Sequence, residues 1–131
     1  MLLLKMMSEI KSFEDLNCWK LARELRNEVK ELIKIFPDFE KYELVSQMRR
    51  ASRSVTHNIA EGYGRFHHKE NIQYCRVSRG SLHELLDQFI TALDEDYISE
   101  ERYKKFKKQV IKCLAMLNGY INYLKKASDS D

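Results

Sequence analysis

Basic side chains that can bind phosphate are concentrated in one stretch of the 131-residue sequence, residues 41–80. This stretch contains eight lysines and arginines and three acidic residues, a local charge of +5, whereas the whole chain carries +3 and the other residues therefore sum to −2. Arginine presents a planar fork of N–H donors that fits phosphate oxygens, and several on one surface can follow a nucleic-acid backbone. The residues that we predict to bind nucleic acid are Arg49, Arg50, Arg53, His57, Arg65 and Lys69.

The helical spacing around these side chains places the positive charge opposite a hydrophobic face. Between residues 41 and 61, apolar or small residues recur at intervals that share one side of an α-helix, at about 100° per residue. These residues are Leu44, Val45, Met48, Ala51, Ser52, Val55 and Ile59. Arg49, Arg50, Arg53 and His57 fall on the opposite side, so the pattern predicts an exposed basic helix face.

Two alternatives to nucleic-acid contact stay open for this region. Arg49 or Arg50 could form an ion pair with an acidic residue of a neighbouring helix or subunit, such as Glu61 or Glu84. Aromatic residues near the patch could stack on unpaired bases, or they could pack in the core or in a subunit interface. These aromatic residues are Tyr42, Tyr63, Phe66 and Tyr74.

Arg50 and His57 have the spacing of a possible catalytic pair, with six residues between them. The spacing resembles the R-x4-6-H signature of HEPN ribonucleases, in which the His transfers a proton and the Arg stabilises charge on a phosphate. Ala51 follows the Arg where that family usually has a polar residue, and an Arg-rich helix often matches so short a pattern by chance. We therefore predict no catalytic residue and keep the ribonuclease as an alternative.

Metal-ligating residue types also occur together, at His83, Glu84 and Asp87. The sequence lacks the paired Glu-x-x-His motifs of di-iron bundles. It also lacks the phosphate-loop, G-x-S-x-G and H-E-x-x-H motifs of common enzyme classes. We predict structural or solvated roles for these side chains, no metal site and no cofactor.

Four helical segments position these residues, separated by short connections. They are predicted over residues 13–36, 41–61, 68–95 and 100–126. Short connections make successive helices antiparallel, so we predict an all-α, antiparallel up-and-down four-helix bundle. The bundle is expected to occupy residues 12–126, with a flexible extension at 1–11 and a disordered tail at 127–131.

Individual glycines and cysteines refine this prediction. Gly62 follows the second helix and is a candidate for the left-handed position after a helix end. Gly80 lies inside the third helix, where glycine costs about 1 kcal/mol relative to alanine, so a neighbouring helix or subunit could approach closely there. Cys18, Cys75 and Cys113 are far apart at or beside apolar positions, which indicates buried free thiols in a reducing cytosol.

No apolar run is long enough for a membrane span or signal peptide, so we predict a cytoplasmic protein.

An ordered set of short motifs runs through most of the chain. The motifs include Phe13-Glu14-Asp15-Leu16, Trp19-Lys20, Phe36-Pro37, Ser46-Gln47-Met48-Arg49-Arg50-Ala51, Asn58-Ile59-Ala60-Glu61-Gly62, Gly80-Ser81-Leu82, Glu84-Leu85 and Tyr97-Ile98. In this order they resemble the four-helix-bundle family of 23S rRNA intervening-sequence proteins, which also includes accessory proteins of diversity-generating retroelements.

The resemblance implies a ring-like homopentamer with a basic surface that binds nucleic acid without known catalysis. The residues expected in the oligomer interface or in structural roles are Glu61, Gly62, Gly80, Ser81 and Glu84. The sequence departs from the family at Thr56 and His57, where Pro and a small residue are frequent, at Arg79, where a small apolar residue is usual, and at Asp96, where Gly is frequent.

These observations predict a non-catalytic, oligomeric protein that binds RNA or DNA through the phosphate backbone, with RNA as the first candidate. No strand pattern of the kind that reads bases in RNA-binding sheets is present, so we expect little sequence preference. Two other functions stay open. One is a protein-interaction scaffold whose basic residues face an acidic protein, and the other is the HEPN-like ribonuclease that would use Arg50 and His57.

Overall fold

Four α-helices form most of the structure, which is a computed structural model. The structure describes residues 9–130, with side chains up to residue 129. The helices are α1 (Asn17–Leu32), α2 (Leu44–Tyr63), α3 (His68–Asp94) and α4 (Glu100–Ser130). Short 3-10 turns lie before and after α1, at Phe13–Asp15, Ile33–Ile35 and Asp38–Glu40. None of the described helices is long and apolar enough to cross a membrane.

The helix ends differ from the prediction by a few residues. The helix predicted from residue 13 begins only at Asn17, after a 3-10 turn that Ser12 caps. Oγ of Ser12 accepts a hydrogen bond from the N–H of Glu14 at 3.1 Å, and Oδ2 of Asp15 accepts one from the N–H of Ser12 at 3.2 Å. At the other end, α4 continues through residues 127–130, which the sequence analysis assigned to a disordered tail. Residues 1–8 of the predicted extension lie outside the described residues, as does Asp131.

Each helix packs against its neighbours in sequence, and α4 closes the bundle by packing against α1. Because the connections between the helices are short, successive helices run antiparallel. The predicted all-α, up-and-down four-helix bundle is therefore confirmed. In this arrangement α2 and α4 are diagonally opposite, so their outer faces point to opposite sides of the molecule.

A single hydrophobic core fills the centre of the bundle. All seven residues that the spacing assigned to the inner face of α2 are buried, including Met48 at 0% and Val55 at 1% exposure. Across the core, Phe89 of α3 stacks on Phe106 of α4 with ring centroids 4.6 Å apart. Burial of the apolar positions sets the rotation of α2 about its axis and thereby turns its arginines outward.

The three cysteines are free thiols buried in this core, as predicted. Burial raises the pKa of Cys18 and of Cys75 to about 12, and that of Cys113 to about 11. The physical cause is that an apolar environment disfavours the charged thiolate. The three side chains are therefore protonated and unreactive at neutral pH.

Gly62 does not have the left-handed conformation that the sequence analysis assigned to it. Helix α2 continues through Tyr63, and no glycine of the described residues has a positive φ. Gly62 is instead buried against α3, where a Cβ atom would lie 2.9 Å from Cβ of Tyr74 and 2.6 Å from Oδ1 of Asn71. The close approach of two helices, rather than an unusual backbone conformation, explains the glycine.

Gly80 has the opposite environment, since no atom of a neighbouring element or side chain lies within 4 Å of the place where its Cβ would be. A close approach at Gly80 therefore does not occur within the described chain, and an approach by another subunit stays a prediction. The described residue that does have a positive φ is Asp96, at 64°, between α3 and α4. Glycine, which the resemblance leads us to expect at this position, adopts such a φ without strain.

Candidate nucleic-acid interface

Three arginines and a histidine are exposed on the outer face of α2, opposite its buried residues. They are Arg49, Arg50, Arg53 and His57. Among the described residues, none of these four side chains forms a hydrogen bond or an ion pair. All five N–H donors of each guanidinium group are therefore available to a ligand.

The acidic residues that could have paired with these arginines are engaged elsewhere. Oε1 of Glu61 accepts a hydrogen bond from Nη2 of Arg65 at 2.7 Å, and Oε1 of Glu84 accepts one from Nε2 of Gln88 at 3.2 Å. Within residues 9–130, neither Arg49 nor Arg50 pairs with Glu61 or Glu84. An ion pair between Arg49 or Arg50 and an acidic residue of another subunit stays open.

The basic face is long enough for a short stretch of nucleic-acid backbone. His57 follows Arg49 by eight residues, which corresponds to about 12 Å along the helix axis. One strand of a duplex carries a phosphate every ~3.4 Å along its axis, so roughly three or four phosphates fall within this length. The number of phosphates thus matches the number of basic side chains.

Polar contacts on both sides hold α2 in this orientation. On the α3 side, the hydroxyls of Ser54 and Ser81 share a hydrogen bond at 2.8 Å. On the α1 side, Nη1 of Arg26 donates to Oγ1 of Thr56 at 3.0 Å. These bonds oppose rotation of α2 about its axis, so the arginines stay on one side of the bundle.

The five residues assigned to an oligomer interface or to structural roles separate into two groups. Gly62 and Ser81 pack α2 against α3, and Glu61 binds Arg65, so these residues already have structural roles within one chain. Gly80 and Glu84 are exposed on α3. A subunit contact at these two positions stays a prediction.

Arg65 lies beyond the end of α2 and, unlike the three α2 arginines, already has partners. Its Nη2 donates to Glu61 and to the hydroxyl of Tyr74, its Nη1 lies 3.9 Å from Oε2 of Glu70, and its guanidinium group lies 4.9 Å from the centre of the Tyr74 ring. The hydrogen bond to Glu61 raises the pKa of Arg65. A phosphate would have to compete with Glu61 for this side chain. Lys69, in the first turn of α3, is exposed.

The four aromatic residues near the patch have different environments. Tyr63 and Tyr74 are half-buried, which agrees with a packing role. Tyr42 is 84% exposed before α2, and Phe66 is 92% exposed after it. The rings of these two residues are accessible for stacking near the two ends of α2.

The residues that the sequence offered for catalysis or metal binding are all exposed. Arg50 and His57 share one face of α2, and no described side chain binds His57 to orient it. His83, Glu84 and Asp87 are exposed, and among residues 9–130 no three His, Cys, Asp or Glu side chains form a group that could hold a metal ion. A groove of about 460 Å³ between the start of α1 and α4 is lined by none of the predicted site residues.

A second basic surface, which was not predicted from the sequence, lies on α4. Residues 100–126 contain eight lysines and arginines and two acidic residues, a net charge of +6. Residues 81–99 contain five acidic residues and no basic one. Their charge of −5 nearly cancels the charge of α4 when all residues outside 41–80 are summed. A count of charge for each helix separately would have revealed it. The exposed lysines in the N-terminal half of α4 are Lys104, Lys105, Lys107, Lys108 and Lys112.

Known proteins share this sequence pattern and this fold. A family model described as 23S rRNA-intervening sequence protein matches residues 14–119. Among solved structures, the chain is similar to the crystal structure of a protein with unknown function from the S23 ribosomal protein family of Bacteroides thetaiotaomicron, with a TM-score of 0.73 and 17% identity. The alignment covers 79% of this chain and 97% of that chain, and at this identity it shows the fold alone. A search of curated proteins found no match.

Proposed function

The chain belongs to the family of 23S rRNA-intervening sequence proteins, and we propose that it is a non-catalytic protein that binds nucleic acid, RNA first, through the phosphate backbone. The observation that carries this proposal is the outer face of α2, where Arg49, Arg50 and Arg53 are exposed and have no partner among the described residues. Charge-assisted hydrogen bonds from their guanidinium groups to phosphate oxygens would make the contact.

Binding of this kind depends on the release of counterions from the nucleic acid. Contacts to three phosphates of a single strand give a slope of about −2 in a plot of log affinity against log salt concentration. Phosphates are the same in every sequence, and residues 9–130 form no β-strand that could present aromatic side chains to bases. We therefore expect affinity that depends strongly on salt and weakly on sequence.

The choice of RNA rests on the family description, which names an intervening sequence of 23S rRNA. The family resemblance also implies a homopentamer, and we propose that several copies act together in the cytoplasm, where the buried free thiols stay reduced. Several weak basic faces on one particle bind a long RNA more tightly than one face does, because each first contact raises the local concentration of the next.

Size-exclusion chromatography with light scattering, run on nuclease-treated protein, tests this proposal. The mass is measured for protein alone and with a structured RNA, at low and at high salt. We expect a particle of several subunits that gains RNA at low salt and releases it at high salt. A particle that does not bind RNA at any salt concentration contradicts the proposal.

A protein-interaction scaffold is the second candidate, favoured by exposed apolar side chains before α2. Ile35, Phe39 and Tyr42 lie within eight residues of the sequence and are 57%, 72% and 84% exposed. Exposed apolar side chains suit a protein partner. A pull-down with and without nuclease separates the two functions, because a partner held through RNA is lost on nuclease treatment. For a scaffold, capture survives nuclease treatment, and alanine at Phe39 and Tyr42 should reduce it.

A further inference from the structure

The N-terminal half of α4 carries an unusually dense basic segment. Residues 102–112 contain six lysines and arginines and no acidic residue. By contrast, residues 9–40, which include α1, mix six basic with eight acidic residues. The charge of α4 is therefore not balanced within its own segment, as it is on an ordinary solvated helix with alternating charges.

Three lysines of this segment form one stripe on the helix surface. Lys105, Lys108 and Lys112 are spaced i, i+3 and i+7, so they share a face and extend about 10 Å along the axis. All three are exposed, and among the described residues none of them forms an ion pair. We call them the α4 lysine face. Lys104 differs, because its Nζ lies 3.5 Å from Oε1 of Glu100.

The charge pattern of α4 does not favour the free helix. Lysines three and four positions apart repel one another. Glu28 and Glu31 of α1 line a groove together with Lys105, but Glu31 is bound to Lys34 at 2.9 Å. A polyanion bound to the α4 lysine face would relieve the repulsion.

The α4 lysine face lies on the side of the bundle opposite to the arginines of α2, since α2 and α4 are diagonal. Two helix diameters separate the two outer faces, which is roughly 20 Å. Charges in solution are screened beyond about 8 Å at physiological salt, so two phosphate backbones on the two faces would scarcely repel each other.

We infer that the α4 lysine face binds a second phosphate backbone, so that one chain joins two RNA segments on opposite sides of the bundle. This inference rests on the proposed function, because the first segment is the one bound by Arg49, Arg50 and Arg53. It adds a bridging activity, in which the protein brings together two RNAs or two distant parts of one RNA.

A capture assay with the full chain tests bridging. One RNA is fixed to beads, a second RNA carries a fluorophore, and protein is added at low salt. The test variant carries Lys105→Gln, Lys108→Gln and Lys112→Gln, since glutamine removes the charge and keeps a good helix propensity. The matched control carries Lys11→Gln, Lys20→Gln and Lys30→Gln, which removes the same charge from other exposed positions.

We expect wild type and control to capture the fluorescent RNA, and the α4 variant to capture several-fold less while it still binds a single RNA in fluorescence anisotropy. Its salt slope should be shallower by about 2, from three lost contacts at ~0.7 each on a single strand. If the α4 variant captures as much RNA as wild type, the inference is overturned, because the subunits of an oligomer then bridge two RNAs through α2 alone. This result leaves the proposed function intact. A wild-type protein that binds no RNA overturns both.

Discussion

Replacement of Gly62 by alanine is expected to destabilise the bundle, whereas the same replacement at Gly80 is expected to stabilise it. A Cβ at residue 62 would lie 2.9 Å from Cβ of Tyr74 and 3.0 Å from the carbonyl oxygen of Asn71, atoms that cannot move unless α3 moves. It would also lie 2.6 Å from Oδ1 of Asn71. The side chain of Asn71 cannot easily move away, because it is buried and its Nδ2 donates to the hydroxyl of Tyr120 at 2.9 Å.

The magnitude follows from opposing contributions. Overpacking at a close helix contact costs about 1–3 kcal/mol, and a weakened hydrogen bond costs about 1 kcal/mol. The higher helix propensity of alanine offsets roughly 1 kcal/mol. We therefore expect Gly62→Ala to lower the free energy of unfolding by about 1–3 kcal/mol, which is a decrease in Tm of roughly 4–10 °C for a chain of this length.

Gly80→Ala is the matched control, since it makes the same chemical change inside the next helix. With no neighbouring side chain or element within 4 Å of its Cβ position, only the propensity gain remains, about 1 kcal/mol or roughly 3–4 °C in Tm. Thermal unfolding followed by circular dichroism measures both variants at low protein concentration. Equal stabilisation by the two replacements would refute the close α2–α3 contact at Gly62. A loss of oligomer in Gly80→Ala alone would identify Gly80 as a subunit contact.

Three further predictions concern the core and the connection between α3 and α4. The three cysteines should not react with a thiol reagent at pH 8 in the native protein and should all react in denaturant; rapid labelling of the native protein would contradict their burial. The pKa of these thiols in the folded protein is about 11–12, above the ordinary value of 9.0. The buried, protonated thiols therefore contribute their full stabilisation below pH 9, and this contribution is lost as the pH rises towards 12. Replacement of the cysteines by alanine should reduce that loss, measured by urea unfolding at each pH. At Asp96, whose φ is 64°, the Gly variant should be more stable than the Ala variant by about 1–2 kcal/mol, because a Cβ is disfavoured in the left-handed conformation; equal Tm values would contradict this.

The fold could be predicted from the sequence because the apolar residues that recur at helical spacing are the residues that are buried. The spacing of Leu44, Met48 and Val55 assigned the inner face of α2, and all three side chains are buried. The predicted helix ends were less accurate, because the 3-10 turns before and after α1 have no clear sequence signature that separates them from an α-helix. The predicted left-handed conformation of Gly62 was wrong. A glycine near a helix end permits either a positive φ or a close contact with another helix, and only the path of α3 decides between them.

The candidate site was only partly predictable. The exposure of Arg49, Arg50 and Arg53 follows from the rotation of one helix. The partners of Arg65 do not, because they depend on how the connection between α2 and α3 brings Glu61 and Tyr74 to its guanidinium group. The lysines of α4 were visible in the sequence but were cancelled by the acidic residues 81–99 in a sum of charges.

The salt dependence of RNA affinity tests the central claim most directly. Fluorescence anisotropy is measured between 50 and 200 mM salt for wild type, for the variant with Arg49→Gln, Arg50→Gln and Arg53→Gln, and for the Lys11, Lys20 and Lys30 control. Three lost phosphate contacts should make the slope shallower by about 2 and weaken binding at 50 mM salt at least tenfold, with unchanged helical content and Tm. An arginine variant that binds RNA with the affinity and slope of wild type would contradict the account.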